Sequence, residues 1–158
     1  MAAQLPKITH VLETCVYAKH LPTSIAFYRD VLRLGEPVLA TERMAVFPLG
    51  STTLLLFQRG QTRADQEGPA IANTGGANGL IPGHGLPDDD VEKTALKTHF
   101  ALAVEKREDV DAWEKELKEK KVKILGRVSW PAGGRSVYFA DPDEHVGELV
   151  SRGIWPHY

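Results

Sequence analysis

The chain has 158 residues, 42 % of them hydrophobic and 25 % charged, with 14 glycines and 10 prolines. A chain this long, as one compact unit or two small sub-domains, buries roughly 70 % of its unfolded surface, and its composition excludes a disordered chain, a collagen-like repeat and a coiled coil. Nineteen basic and 21 acidic side chains leave a formal charge of −2, so no global basic field draws nucleic acid or anionic lipid. The single cysteine, Cys15, excludes an intramolecular disulfide framework and a multi-cysteine metal centre. Aliphatic or aromatic runs such as Leu54–Phe57 and Phe100–Val104 are far shorter than the ~20 residues of a membrane span. The opening residues MAAQLPKITH lack the apolar stretch of a signal peptide. The expectation is a soluble cytoplasmic globular protein whose partner is neither nucleic acid nor membrane.

The elements follow in order. Ile8 to Tyr17 reads as a strand. Leu21, Ile25, Tyr28 and Leu32 recur at helical spacing and predict a helix over 22–33, with Pro22 in its first turn and Gly35 at its end. Pro37–Thr41, Met44–Leu49 and Thr52–Phe57 read as strands, the last two joined by a Gly50-Ser51 turn. The pattern dissolves between Gln58 and Ala95, where Gly75–Gly79, Ile81–Gly85 and the acidic trio Asp88–Asp90 lie; a run that long is expected to be a lid, a binding loop or a linker. Thr98–Val104 is the next strand. Glu108–Lys120 is a helix with Val110, Trp113 and Leu117 on one side, supported by the Glu114/Lys118 pair. Val122–Ser129, Ser136–Ala140 and Val146–Ser151 complete the strands, with Asp141-Pro142-Asp143 as the turn before the last.

Both halves therefore read strand–helix–strand–strand–strand. Glu13 to Phe27 and His99 to Trp113 each span 14 residues, and the last strands correspond as Ser51–Gln58 and Glu144–Ser151 once seven extra residues in the second copy are allowed. On that register Leu55 corresponds to Glu148. The fold class expected is α+β, two βαβββ modules forming a curved mixed-sheet cleft, with 8–58 as the first module, 59–95 as a Gly/Pro-rich loop and 96–152 as the second module of one domain. Glu13, His99 and Glu148 sit at corresponding strand positions, and ionisable groups on sheet faces are costly unless paired or bound to a metal.

These residues resemble the vicinal oxygen chelate superfamily, the glyoxalase/bleomycin-resistance/extradiol-dioxygenase fold. The resemblance spans residues 8–155. It rests on Leu12–Tyr17 and Ile25–Leu32 in the first half. In the second it rests on Thr98–Leu102, the helix around Trp113, Arg135–Phe139, and Asp141-Pro142-Asp143 followed by Glu148-Leu149. Within the superfamily the chain is most similar to a bacterial and fungal subgroup sharing Leu12–Cys15, Ile81–Gly85 and Gly133–Ser136. The superfamily holds one divalent ion with up to four side chains, and the matching positions here are Glu13, Leu55, His99 and Glu148. Leu55 cannot ligate, and Gln58, the nearest polar candidate, falls on the other strand face. The resemblance thus implies Glu13, His99 and Glu148 as ligands of Mn²⁺, Fe²⁺, Ni²⁺ or Zn²⁺. Glu13 and Glu148 become the candidate catalytic carboxylates, Glu148 as the firm ligand and Glu13 as the versatile one.

The function this implies is a glyoxalase-like metalloenzyme, an isomerase, lyase or related enzyme. It would chelate adjacent oxygens of a small polar metabolite and stabilise an enolate or oxyanion. Two alternatives stand beside it: a metal-free drug- or metabolite-binding protein of the bleomycin-resistance type, which Leu55 favours, and an iron-dependent ring-cleaving dioxygenase, which the absence of a two-His-one-carboxylate set disfavours. Arg135, His84, Trp130 and Tyr138 are the candidate substrate contacts, Arg135 as a carboxylate or phosphate clamp or else a structural ion pair. Cys15 is expected to be a small buried hydrophobe, and His145 a solvated turn residue. Trp155 and Tyr158 are expected to cap the cleft or a partner subunit, and a homodimer is expected by resemblance.

Overall fold

The computed structural model describes residues 6–67, 79–85 and 96–156. Gly75–Asn78, Asp88–Asp90 and Tyr158 lie outside the described residues. The first module comprises β1 (Glu13–Ala18), α1 (Leu21–Ala26) running into a π-helical segment (Phe27–Val31), β2 (Leu39–Ala40), β3 (Met44–Leu49) and β4 (Thr52–Gln58). The short pair β5 (Gln66–Glu67) and β6 (Leu80–Ile81) follows. The second module comprises β7 (His99–Ala103), α2 (Arg107–Glu119), β8 (Ile124–Ser129), β9 (Arg135–Ala140) and β10 (Val146–Val150).

Each module closes the same way. The two sheets run β1-β4-β3-β2 and β7-β10-β9-β8, with the first pair of each parallel and the others antiparallel. Glu13 pairs with Thr53 and His99 with Val146, so Leu55 and Glu148 occupy equivalent places two residues further along β4 and β10. The register inferred from the repeat is the register of the sheets.

Strand alternation divides each sheet into a core face and an open face. The core face carries Val16, Ala18, Ala45, Phe47, Leu54 and Leu56 in the first module and Phe100, Val137, Phe139 and Leu149 in the second, packed with Tyr28, Val110 and Leu117 of the helices into one cluster. Gly147 admits this packing: a Cβ there would lie 2.3 Å from the Phe139 ring.

The first strand is shorter than the pattern suggests: residues 6–12 are exposed and lie outside it, with the Leu12 carbonyl accepting Thr53 N–H at 2.8 Å just before it begins. The first helix is not a uniform α-helix. Leu32 N–H bonds to Phe27 O at 3.1 Å and Leu34 N–H to Tyr28 O at 3.1 Å, a widened winding. It turns Tyr28 fully inward, where its hydroxyl donates to Asp141 Oδ2 at 2.9 Å. The turn after β9 is thereby fastened to the first module. Asp143 completes the fastening, accepting from Lys19 N at 2.7 Å and Ser24 Oγ at 2.8 Å.

Candidate metal centre and cleft

On the open face of the second sheet, β7 presents His99, β10 presents Glu148 and β9 presents Tyr138, which is the direct partner of Glu148 in the ladder. His99 Nε2 lies 3.3 Å from Glu148 Oε2. The other ring nitrogen, Nδ1, is 3.0 Å from the Val146 carbonyl. A carbonyl only accepts, so Nδ1 carries a proton, and in the neutral ring Nε2 then holds the lone pair, the form in which imidazole binds metals.

Glu148 is 4 % exposed, and its Oε1 is buried with no hydrogen-bond partner among the described residues. A carboxylate oxygen withdrawn from water without a donor is costly; an aimed imidazole lone pair beside such an oxygen is a donor set that suits a divalent cation. The Tyr138 ring lies 6.1 Å from that of His99. Burial first, and then the Glu148 carboxylate, hold its phenol above the ordinary tyrosine range. Trp130 donates its indole N–H to Ser136 Oγ at 2.8 Å, on the same strand face as Tyr138 and Glu148.

The first sheet's open face carries Glu13, Cys15 and Tyr17 from β1 and Leu55 and Phe57 from β4. Glu13 is exposed there. A cavity of about 220 Å³ between the modules is lined by Thr14, Thr53, His99 and Ala101 among others, and Glu13 is not among its lining residues. Among the described residues no three His, Cys, Asp or Glu side chains converge on one point, so a single chain brings together His99 and Glu148 but not Glu13. Cys15 is exposed rather than buried; partial burial and then the nearby Glu13 charge push its thiol up.

His84 reaches this face from the β6 segment. Its Nδ1 is 2.6 Å from the Tyr17 hydroxyl, and its ring meets Phe57 edge-on at 5.0 Å. The flanking glycines make the approach feasible: a Cβ on Gly83 would sit 1.9 Å from Arg63 O, and Gly85 has φ +106° against Thr62 and Tyr17. Thr62 ties the segment down, accepting His84 N–H at its carbonyl and donating Oγ1–H to His84 O.

The remaining candidates fall elsewhere. Arg135 points to the opposite sheet face, where it pairs with Asp111 and lies 3.4 Å from Glu114 of α2; it is the structural ion pair and not a clamp in the cleft. Glu114, with Lys118 first and Arg127 at 2.7 Å, is held below the usual carboxylate range. Gln58 faces away and caps α1, accepting Leu21 N–H at 2.9 Å and donating to Lys19 O at 2.7 Å. His145 is not solvated but 1 % exposed, between the modules. Its burial had no sequence signal, because its ring partners, Tyr17 O and the Thr98 N–H and hydroxyl, lie far away in the chain. Trp155 is exposed.

Among the described residues, no helix is long and apolar enough to cross a membrane. A family model described as the Glyoxalase/Bleomycin resistance protein/Dioxygenase superfamily matches residues 7–149. The chain is 29 % identical over 144 residues to a metallothiol transferase FosB of Staphylococcus epidermidis, covering 90 % of this chain and 82 % of that protein. It is similar to the crystal structure of a lactoylglutathione lyase from Agrobacterium tumefaciens, with 28 % identity, a TM-score of 0.75, and 96 % and 99 % of the two chains covered. A glyoxalase-related enzyme from Fulvimarina pelagi shares the fold at 18 % identity and a TM-score of 0.63, covering 94 % and 92 %.

Proposed function

The chain belongs to the Glyoxalase/Bleomycin resistance protein/Dioxygenase superfamily, and from that premise we propose that it is a cytoplasmic, metal-dependent enzyme of the glyoxalase type, an isomerase, lyase or related enzyme. Its substrate is a small polar metabolite bearing two adjacent oxygens. The observation that carries this reading is the half-built cation site: His99 Nε2 lies 3.3 Å from one oxygen of a buried carboxylate whose other oxygen has no donor among the described residues. The two named relatives, a metallothiol transferase and a lactoylglutathione lyase, both involve a thiol compound, which favours a thiol adduct or a thiol acceptor as substrate.

His99, Glu148 and Glu13 would hold the ion, with Glu13 supplied by a second copy of the chain. Superfamily proteins are often dimers. Pairing is further supported by β1 and β7 lying at the outer edges of their sheets and by Ile8, Val11 and Leu12 being exposed beside β1. A divalent ion bound there supplies Lewis acidity to adjacent oxygens as negative charge develops on them. The chain's own groups do the rest. Glu13, on an exposed strand face, takes the proton from the carbon next to those oxygens. Tyr138, neutral at physiological pH, donates to the developing oxyanion. Trp130 and His84 wall the substrate and restrict water.

Leu55 favours a second reading, a metal-free binding protein using the same cleft, because it puts an apolar side chain where the repeat places a counterpart of Glu148. Elemental analysis of the purified protein separates the two. The expected result is about one transition-metal ion per site, lost in both His99→Ala and Glu148→Ala. A wild-type protein that stays metal-free after dialysis against Mn²⁺, Fe²⁺, Ni²⁺ and Zn²⁺ would overturn the enzyme reading.

A further inference from the structure

His145 is a buried imidazole with both ring nitrogens engaged. Nε2 lies 2.8 Å from the Tyr17 carbonyl, which can only accept, so Nε2 carries the proton. Nδ1 is then the acceptor, and it receives the Thr98 N–H at 3.1 Å, with Thr98 Oγ1 at 3.0 Å. One ring thus joins β1 of the first module to the residue immediately before His99.

The neighbouring bonds close this into a rigid unit. Val146, the residue after His145, donates its N–H to Thr98 O at 2.8 Å, and its carbonyl is the group that receives His99 Nδ1–H. Four hydrogen bonds therefore stitch residues 98–99 to 145–146 and set both the backbone and the ring of His99. The approach of His145 is held in turn by its N–H to Asp141 Oδ1 at 2.8 Å. Glu144, just before it, takes φ +66°, a left-handed conformation that a non-glycine residue keeps only when the structure on both sides enforces it.

We propose that His145 is a positioning residue for the candidate metal centre. Acting through Thr98 and the Val146 carbonyl, it fixes the ring orientation and tautomer of His99 and so the 3.3 Å approach of His99 Nε2 to Glu148. Its ring bonds Thr98 and the Tyr17 carbonyl rather than Glu148. The inference rests on the metal reading for its purpose, but the geometry it predicts exists without an ion.

Two readouts test it. In the metal-free protein, ¹H–¹⁵N correlation of the imidazoles is expected to show His99 as a single Nδ1–H tautomer, and His145→Phe to convert it to a mixture. Titrated with Co²⁺, His145→Phe is expected to bind about 10-fold or more weakly with an altered visible spectrum. His145→Asn, which keeps a donor and an acceptor, is expected to recover most of the affinity. Tyr28→Phe weakens the same turn without altering the His145 ring contacts, and should lower thermal stability while leaving Co²⁺ affinity and spectrum unchanged. Should His145→Phe fail to fold, His145→Ala, which leaves room for water to satisfy Thr98 N–H and Tyr17 O, is read the same way.

An unchanged His99 tautomer and unchanged Co²⁺ binding in the His145 variants would overturn the proposal. So would an equal loss of affinity in Tyr28→Phe, which would mark the effect as general destabilisation. If the wild type binds no Co²⁺, the metal reading fails, and the His99 tautomer alone still decides whether His145 positions that ring.

Discussion

Glu148 shows how burial and chemistry are coupled at one side chain. It occupies a strand position where a Leu would be inexpensive, as Leu55 demonstrates at the equivalent place in the first module. It keeps one oxygen without a donor, and its charge helps hold Tyr138 above the ordinary tyrosine range, after burial. The sign of the consequence is fixed: the fold favours the neutral phenol, so this contribution to stability is complete below the ordinary tyrosine pKa and is lost as pH rises through the raised one. Absorbance titration at 295 nm, taken as wild type minus Tyr138→Phe, should show Tyr138 ionising later than an exposed tyrosine. Glu148→Gln should move that transition part of the way back, burial accounting for the remainder. The neighbouring glycine is equally constrained. Gly147→Ala drives a methyl into the Phe139 ring and should destabilise the protein by about 1–3 kcal/mol in a denaturant titration, shifting Glu148 with it.

At the scale of elements, the two modules share strand order, parallel pairing and register, yet differ in the helix that crosses each sheet. α2 is a regular amphipathic helix, with Asp109 accepting the Lys106 N–H at its start at 2.9 Å. Its counterpart widens into a π-helical segment, which aims the Tyr28 hydroxyl at Asp141. Periodicity reads the two alike, because 3.6-residue spacing persists on either side of a single widened turn. Tyr28, in the widened segment, bonds Asp141 as one part of a polar fastening between modules whose other parts are Ser24 and Lys19 to Asp143 and His145 to Tyr17. Tyr28→Phe removes the donor from a buried carboxylate oxygen and should cost about 1–3 kcal/mol, measured by urea unfolding. The Asp141 carboxyl is raised, mainly by burial, so its own contribution is present at low pH and fades as pH rises through that raised value.

Across the whole molecule, the separation of Glu13 from His99 and Glu148 decides how many chains a site needs. If Glu13 comes from a second copy, each dimer has two sites, each built from both chains. Light scattering should then report a dimer. Unfolding and co-refolding a Glu13→Ala chain with a His99→Ala chain should restore metal binding that neither variant has alone, at about a quarter of the wild-type sites, since random pairing makes half the dimers mixed and each mixed dimer has one intact site. No restoration, with mixed dimers shown to form, would place all three ligands on one chain or exclude Glu13 from the site.

What the sequence by itself determined is what local periodicity and repetition encode. Reading Met44–Leu49, Thr52–Phe57 and Val146–Ser151 as strands fixes by two-residue alternation which side chains share a face. The 14-residue spacing of both halves aligns Glu13 with His99, and Leu55 with Glu148. The interaction behind each of these is carried by neighbours in the chain or in a ladder, so it is written in the spacing of residue types. Only the tertiary structure decided the contacts between distant segments. It turned Arg135 onto α2 and away from the cleft, brought His84 onto Tyr17 across 67 residues, and buried His145 between Tyr17 O and Thr98 N. It also left Cys15 and Glu13 exposed on an open face. Those outcomes depend on partners distant in the chain, and for His145 on a main-chain carbonyl and amide, which have the same appearance in any sequence.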